Sequence, residues 1–160
     1  MILTAAQLQA LKTDILANAA TLQAAIDTRN GPVIAAFYNS NANPSFTVWK
    51  TNVTIATVGD AINGTELGNL TTANTSRLQV IQGFFMQRGL NPSKADVRQM
   101  FDDIFSTGGV TKAALLILWK RFANRVEKLF ATGTGSDASP ATLVIEGSLG
   151  GQDVLNALDS

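Results

Sequence analysis

The chain of 160 residues contains no cysteine and no histidine. Without cysteine there is no disulfide, no thiolate nucleophile and no thiolate metal site. Without histidine the commonest general base, the commonest zinc ligand and the side chain that titrates near neutrality are all missing. Charge is scarce too. Charged residues make up 15% of the chain, against about 25% in an ordinary soluble domain. The 12 basic and 12 acidic residues cancel, so the positive excess of a general nucleic-acid binder is absent. No apolar run approaches the roughly 18 residues that span a bilayer. The opening "MILTAAQLQAL" has no basic leader region and turns polar at once. The expectation is therefore a soluble chain with no signal peptide and no membrane contact.

What is present is a hydrophobic fraction of 46% and a length that suits one domain with a real core. With few charges, much of the surface must be Ala, Thr, Asn, Gln, Ser and Gly. Such a surface suits a subunit that stays packed against neighbours.

Helical periodicity dominates. Thr4 and Gln7 have the spacing of a capping box. Leu8, Leu11, Ile15, Ala19, Leu22 and Ile26 then trace one apolar face as far as "RNGP", where Gly31 suits a left-handed cap. "PVIAAFYN" fits a short second helix with Pro32 near its start. Phe46, Trp49 and Val53 have helical spacing, and a helix is expected there although the Thr/Val/Ile content of residues 47–58 favours extended structure. Residues 59–71 read as a Gly/Asn/Thr loop. A helix over 72–88 puts Leu78, Ile81, Phe84 and Phe85 on one face and ends at Gly89. Ser93 caps the next, whose stripe is Val97, Met100, Phe101, Ile104 and Phe105. After a break at "TGG", Thr111 caps a long last helix reaching Ala131.

Catalytic motifs are scarce. Asp102 and Asp103 are adjacent on a helix and so point to different faces. Asp60 and Glu66 flank a loop whose spacing matches no EF-hand. "GTGSDAS" is glycine-rich, but no lysine follows it in Walker spacing. No enzyme, cofactor or metal is expected.

Two charged features remain. The last helix carries Lys112, Lys120, Arg121, Arg125 and Lys128 against the single acid Glu127. Residues 132–160 carry Asp137, Glu146, Asp153 and Asp159 and no base. Attraction between the two would dock the tail on its own subunit or on the next. Gly133 and Gly135 give the tether its freedom. "TLVIEGSL" alternates as a strand, with Leu143 and Ile145 on one side and Val144 and Glu146 on the other, and "GQDVLNAL" fits a last short turn. A lone strand needs an edge to pair with, either its own bundle or a neighbouring protein.

"FTVWKTNV", "NPSKADVR" and above all "EKLFATGTGSDASPATLVIEGSL…QDV" resemble a family of short proteins encoded among the structural genes of tailed bacteriophages and prophages. These look like head-to-tail connector, or neck adaptor, proteins. The resemblance covers most of the chain and is strongest from Arg125 to Val154. Members often carry an aromatic residue just before "QDV", where this chain has Gly151. The segment from Asp60 to Thr71 also differs from the family pattern. The resemblance implies a small helical subunit in a ring, usually of twelve, below the portal. C-terminal arms clasp the portal, and the ring lines the channel through which DNA passes.

The expected architecture is thus all-α: a bundle of four to five helices over residues 1–131, with a flexible linker and C-terminal arm over 132–160 containing one short strand. The expected function is a virion structural protein in the neck, made in the host cytoplasm. Its partners would be a homo-oligomeric, dodecameric ring, the portal protein, tail or neck proteins and, transiently, genomic DNA. Capsid decoration, tail completion and a DNA-binding regulator using the basic last helix are the alternatives. The expected contact residues are Leu143, Val144, Ile145 and Glu146 in the arm and Lys120, Arg121 and Arg125 in the charge patch, with Gly133 and Gly135 as hinge.

Overall fold

Thr4 opens the first helix as its spacing predicts. Its hydroxyl accepts from Gln7 N–H, and the Gln7 side chain accepts from Thr4 N–H at 2.9 Å. The computed structural model describes residues 1–86, 88–105 and 109–160. In chain order the elements are α1 (Ala5–Ala17), α2 (Ala19–Asp27), α3 (Gly31–Asn39), β1 (Thr47–Trp49), α4 (Ile55–Ala61) and α5 (Gly64–Gly68). They continue with α6 (Thr72–Phe85), α7 (Ala95–Asp102), α8 (Val110–Leu118), β2 (Lys120–Phe122), α9 (Arg125–Phe130) and α10 (Gly151–Asp159). The protein is predominantly helical, with ten helices among the described residues where the periodicity suggests four to five. β1 and β2 pair as a two-stranded sheet.

The extra helices have local causes. Asn18 interrupts the first apolar stripe because its Nδ2 donates back to the Asp14 carbonyl at 2.8 Å, competing with the helical ladder. At "RNGP" the left-handed residue is Arg29, at φ 49°, and not Gly31, which belongs to α3. The expected loop over 59–71 contains α4 and α5 instead. Thr54 caps one and Asn63, accepting from Thr65 and Glu66 N–H, caps the other. α7 starts one residue later than expected, because Ser93 is held in a turn by Asn91 Oδ1. Thr107 and Gly108 of the "TGG" break lie outside the described residues.

Two expectations fail through tertiary pairing. Residues around Trp49 form β1, not a helix. The long last helix is broken into α8, β2 and α9. Lys50 N–H donates to Trp119 carbonyl at 2.8 Å, and Ala123 N–H donates to Phe46 carbonyl at 2.9 Å. Pairing of this kind overrides the modest helix preference of the sequence. Asn124 then restarts the helix with its own capping box to Glu127.

The chain divides into two compact units. Unit 1 comprises residues 1–47 and 122–160, and unit 2 residues 48–121. The expected boundary at 131/132 does not appear, because the C-terminal residues help build unit 1. The core of unit 1 gathers Leu11, Ile15, Leu22, Ile34, Tyr38 and Val126 with Leu149, Val154 and Ala157 from the tail. The core of unit 2 gathers Val53, Val58, Leu78, Ile81, Leu90, Val97, Ile104, Phe105 and Leu115 around Phe101 and Trp119, whose rings meet edge-on at 5.3 Å. α6 buries only Leu78 and Ile81 and leaves Phe84 74% exposed, so the expected four-residue apolar face is narrower than its spacing suggests. Among the described residues no helix is long and apolar enough to cross a membrane.

Candidate functional site

The backbone of the C-terminal segment has to find hydrogen-bond partners outside itself. It finds a short stretch of backbone and then a set of side chains, all within unit 1. Thr132 and Thr142 exchange backbone hydrogen bonds at 2.9 Å each, and Ala141 N–H donates to Thr47 carbonyl at 2.9 Å. Pairing stops there, so the expected strand over residues 142–146 does not form. Its alternation survives as burial: Leu143 and Ile145 are half-buried, while Val144 and Glu146 are exposed.

Beyond this point side chains replace the ladder. The Glu127 carboxylate, only 2% exposed, accepts from Gly147 N–H through Oε1 and from Asn124 N–H through Oε2, both at 3.1 Å. Asn124 Nδ2 donates to Gly147 carbonyl at 2.9 Å. Both polar groups of Gly147 are therefore held by α9 and its cap. Asn39, the last residue of α3, does the same for Leu149: its Oδ1 accepts from Leu149 N–H at 2.8 Å and its Nδ2 donates to Leu149 carbonyl at 2.9 Å. A side-chain amide that engages one residue's N–H and C=O together does what a neighbouring strand would do.

The tail then forms α10, where only a turn was expected. α10 packs on α3 and α1. Its first residue, Gly151, approaches α3 so closely that a Cβ there would lie 2.9 Å from Pro32 Cδ. That contact accounts for a glycine at this position. Two acids of the tail find partners outside the basic segment of residues 112–128. Asp153 pairs with the N-terminal ammonium at 3.1 Å and Asp159 with Arg29 at 2.8 Å. Lys12 Nζ donates to the Ser160 carbonyl at 2.6 Å.

The hinge glycines have a different role from the one expected. Gly135 is buried at φ 66°. Its carbonyl accepts from Thr47 N–H at 2.7 Å, and a Cβ there would run into the Phe46 ring. Its glycine is required by a close approach, as is that of Gly133, at φ 122° against Ala141.

The basic residues do not share one helical face, because β2 intervenes. Lys120 and Arg121 lie on β2 in unit 2, while Arg125 and Lys128 lie on α9 in unit 1. Lys112 forms an ion pair with Asp102 within unit 2. The continuous basic helix that a DNA-binding regulator would use is therefore not formed. Arg125 is clamped: its Nε donates to Ser40 Oγ at 3.1 Å and its guanidinium lies 4.2 Å from the centre of the Phe37 ring. Glu66, which with Asp60 flanks a Gly/Asn stretch in the sequence, accepts from Val110 N–H at 2.7 Å and Thr111 N–H at 2.9 Å at the start of α8. The Thr111 side chain first, then the Thr111 and Val110 amides, lower its pKa. Among the described residues no three acidic side chains gather as a metal site would require.

Asn39, Asn124 and Glu127 are the residues that sequence reasoning missed. The Asn124–Glu127 spacing repeats that of Thr4–Gln7 and was legible as a helix start. Nothing in the sequence marked Asn39 as an anchor, since asparagine before "SNANP" reads equally as a turn residue. Compared with models of known protein families, with characterised proteins and with solved structures, the chain matches none.

Proposed function

We propose that the chain is a virion structural protein, a head-to-tail connector subunit of a tailed bacteriophage. In this reading subunits of side-by-side helices form a ring, of twelve copies, below the portal and line the DNA channel. The ring sits in the virion neck after synthesis in the bacterial cytoplasm. The reading assigns no enzymatic chemistry and no cofactor. The observation that carries it is the C-terminal segment. Its "LFATGTGSDASPAT" run resembles the connector family, and neither a helix nor a strand requires that run. The same segment leaves Val144 exposed at 61% between half-buried neighbours, a side chain directed outward from a seated backbone. The low charge of the chain and the exposed Val80, Phe84 and Met86 of unit 2 add support, since such surface is natural where subunits meet.

Native mass spectrometry of the chain, alone and mixed with the portal ring of the encoding phage, tests this. The reading expects one copy per portal subunit, and expects Val144→Asp to lose that binding while keeping its helical circular dichroism. Failure to join the portal ring, with binding of many copies to capsid shells or to the tail end, would replace it with decoration or tail completion.

A further inference from the structure

We propose that unit 1 contains a binding site for a monocarboxylate that carries an apolar group, in a cavity of about 400 Å³ between α1, α3 and α9. This does not rest on the connector reading. One wall is cationic. Arg125 is fixed at three points: its N–H donates to the Ser40 carbonyl at 3.0 Å, its Nε to Ser40 Oγ, and its guanidinium stacks on Phe37. Among the described residues no hydrogen bond engages its Nη groups. Lys128 lies three residues further on, on the same side of α9, and lines the cavity with it. A guanidinium held in plane with its outer donors unused is preorganised for a planar carboxylate.

The facing wall selects the charge of the ligand. Tyr38, 1% exposed, donates its hydroxyl to Asp14 Oδ2 at 2.5 Å, and Asn18 Nδ2 donates to the same oxygen at 3.2 Å. Burial first, and then the Asp14 hydrogen bond, keep the phenol protonated well beyond its ordinary range. The lining thus holds two cations and one carboxylate. A monoanion neutralises it. A phosphate dianion would leave excess negative charge beside Asp14 in a partly desolvated space. Phe37 and Leu129 supply apolar wall for the body of the ligand.

The test is a ¹H–¹⁵N titration of the full chain with N-acetyl-leucine, N-acetyl-leucinamide, acetate and inorganic phosphate. Saturable shifts at the Arg125 Nε–H and the Asn18 side-chain amide are expected with N-acetyl-leucine, at least tenfold tighter than with acetate and absent with the leucinamide. Arg125→Gln and Lys128→Met should each weaken binding at least tenfold while the single tyrosine keeps its alkaline titration, which reports an intact unit 1. A four-residue, N-acetylated peptide ending in leucine identifies the source. Tighter binding than N-acetyl-leucine assigns the site to a chain end, and weaker binding to a small free acid. Equal response to N-acetyl-leucine and N-acetyl-leucinamide, preference for phosphate, or no saturable shift overturns the proposal.

Discussion

Unit 1 is assembled from the two ends of the chain, whereas unit 2 is one continuous stretch. Their bonding differs accordingly. Unit 1 places the tail with directional bonds from residues far away in sequence: Asn39 on Leu149, Asn124 and Glu127 on Gly147, Arg29 on Asp159 and the N-terminus on Asp153. Unit 2 has an aromatic centre of Phe101 and Trp119 with aliphatic neighbours, and one group of its long-range polar bonds lies at the start of α8. Hydrophobic burial is not directional. It holds a continuous segment together but does not by itself fix the register of a returning one. Side chains that grip single backbone groups do. The chain also carries a separate optical reporter for each unit. Its one tyrosine, Tyr38, lies in unit 1, and its two tryptophans, Trp49 and Trp119, lie in unit 2.

The largest test of this contrast removes the returning segment. Deleting residues 134–160 strips Leu149, Val154 and Ala157 from the unit 1 core. At about 2–5 kcal/mol for each large buried side chain, that loss matches the whole stability of a typical domain. Tyr38 should then titrate near its ordinary value while tryptophan fluorescence keeps its native maximum. Loss of both signals together would show that the two units stand or fall as one. The next effect is smaller. Glu127→Ala leaves two N–H groups, of Asn124 and Gly147, without their acceptor, at about 1–3 kcal/mol each. Glu127→Gln, which keeps an acceptor oxygen, should lose less by urea denaturation.

A third test uses pH. The Tyr38 phenol is raised by burial first and by Asp14 second. A raised phenol contributes stability that is fully present below the unfolded tyrosine value, about 10, and is lost as pH rises beyond it. Absorbance at alkaline pH should show no tyrosinate before unit 1 unfolds, and Tyr38→Phe should cost about 1.5–3 kcal/mol, the range for a hydrogen bond to a charged partner. The smallest effect is in unit 2. The Glu66 carboxyl is lowered by Thr111 and Val110, so its contribution is present above the unfolded glutamate value and is lost as pH falls through the folded one. Glu66→Gln should flatten the acid limb of stability read by tryptophan by lowering stability at neutral pH toward its acid level.

The parts of the fold that were legible in the sequence are those whose cause is local. Thr4 and Gln7 announce a helix because both ends of the motif sit within one turn. Pro32 sits at the start of α3 for the same reason. β1 and β2 were hidden because each needs the other, and helical spacing within Trp49–Val53 and Leu115–Phe130 outweighed a partner that lies far along the chain. α10 reads as a turn in the sequence because "GSLGG" masks its start, although Val154, Ala157 and Leu158 have helical spacing. At the candidate site, the glycines at 133 and 135 and the charge of Arg125 stood out, but their roles did not. A glycine needed for close packing and one needed for freedom look alike in sequence. The clamp on Arg125 depends on Ser40 and Phe37, which only the folded chain brings near.

Amide hydrogen exchange at Gly147 and Leu149 in the isolated full-length chain tests the central claim, that side chains of α3 and α9 seat the C-terminal segment within unit 1. Protection of both amides, lost at Leu149 in Asn39→Ala and at Gly147 in Glu127→Ala, is the predicted result. Exchange of both at the rate of an unstructured peptide would contradict it and return residues 132–160 to the status of a free tether.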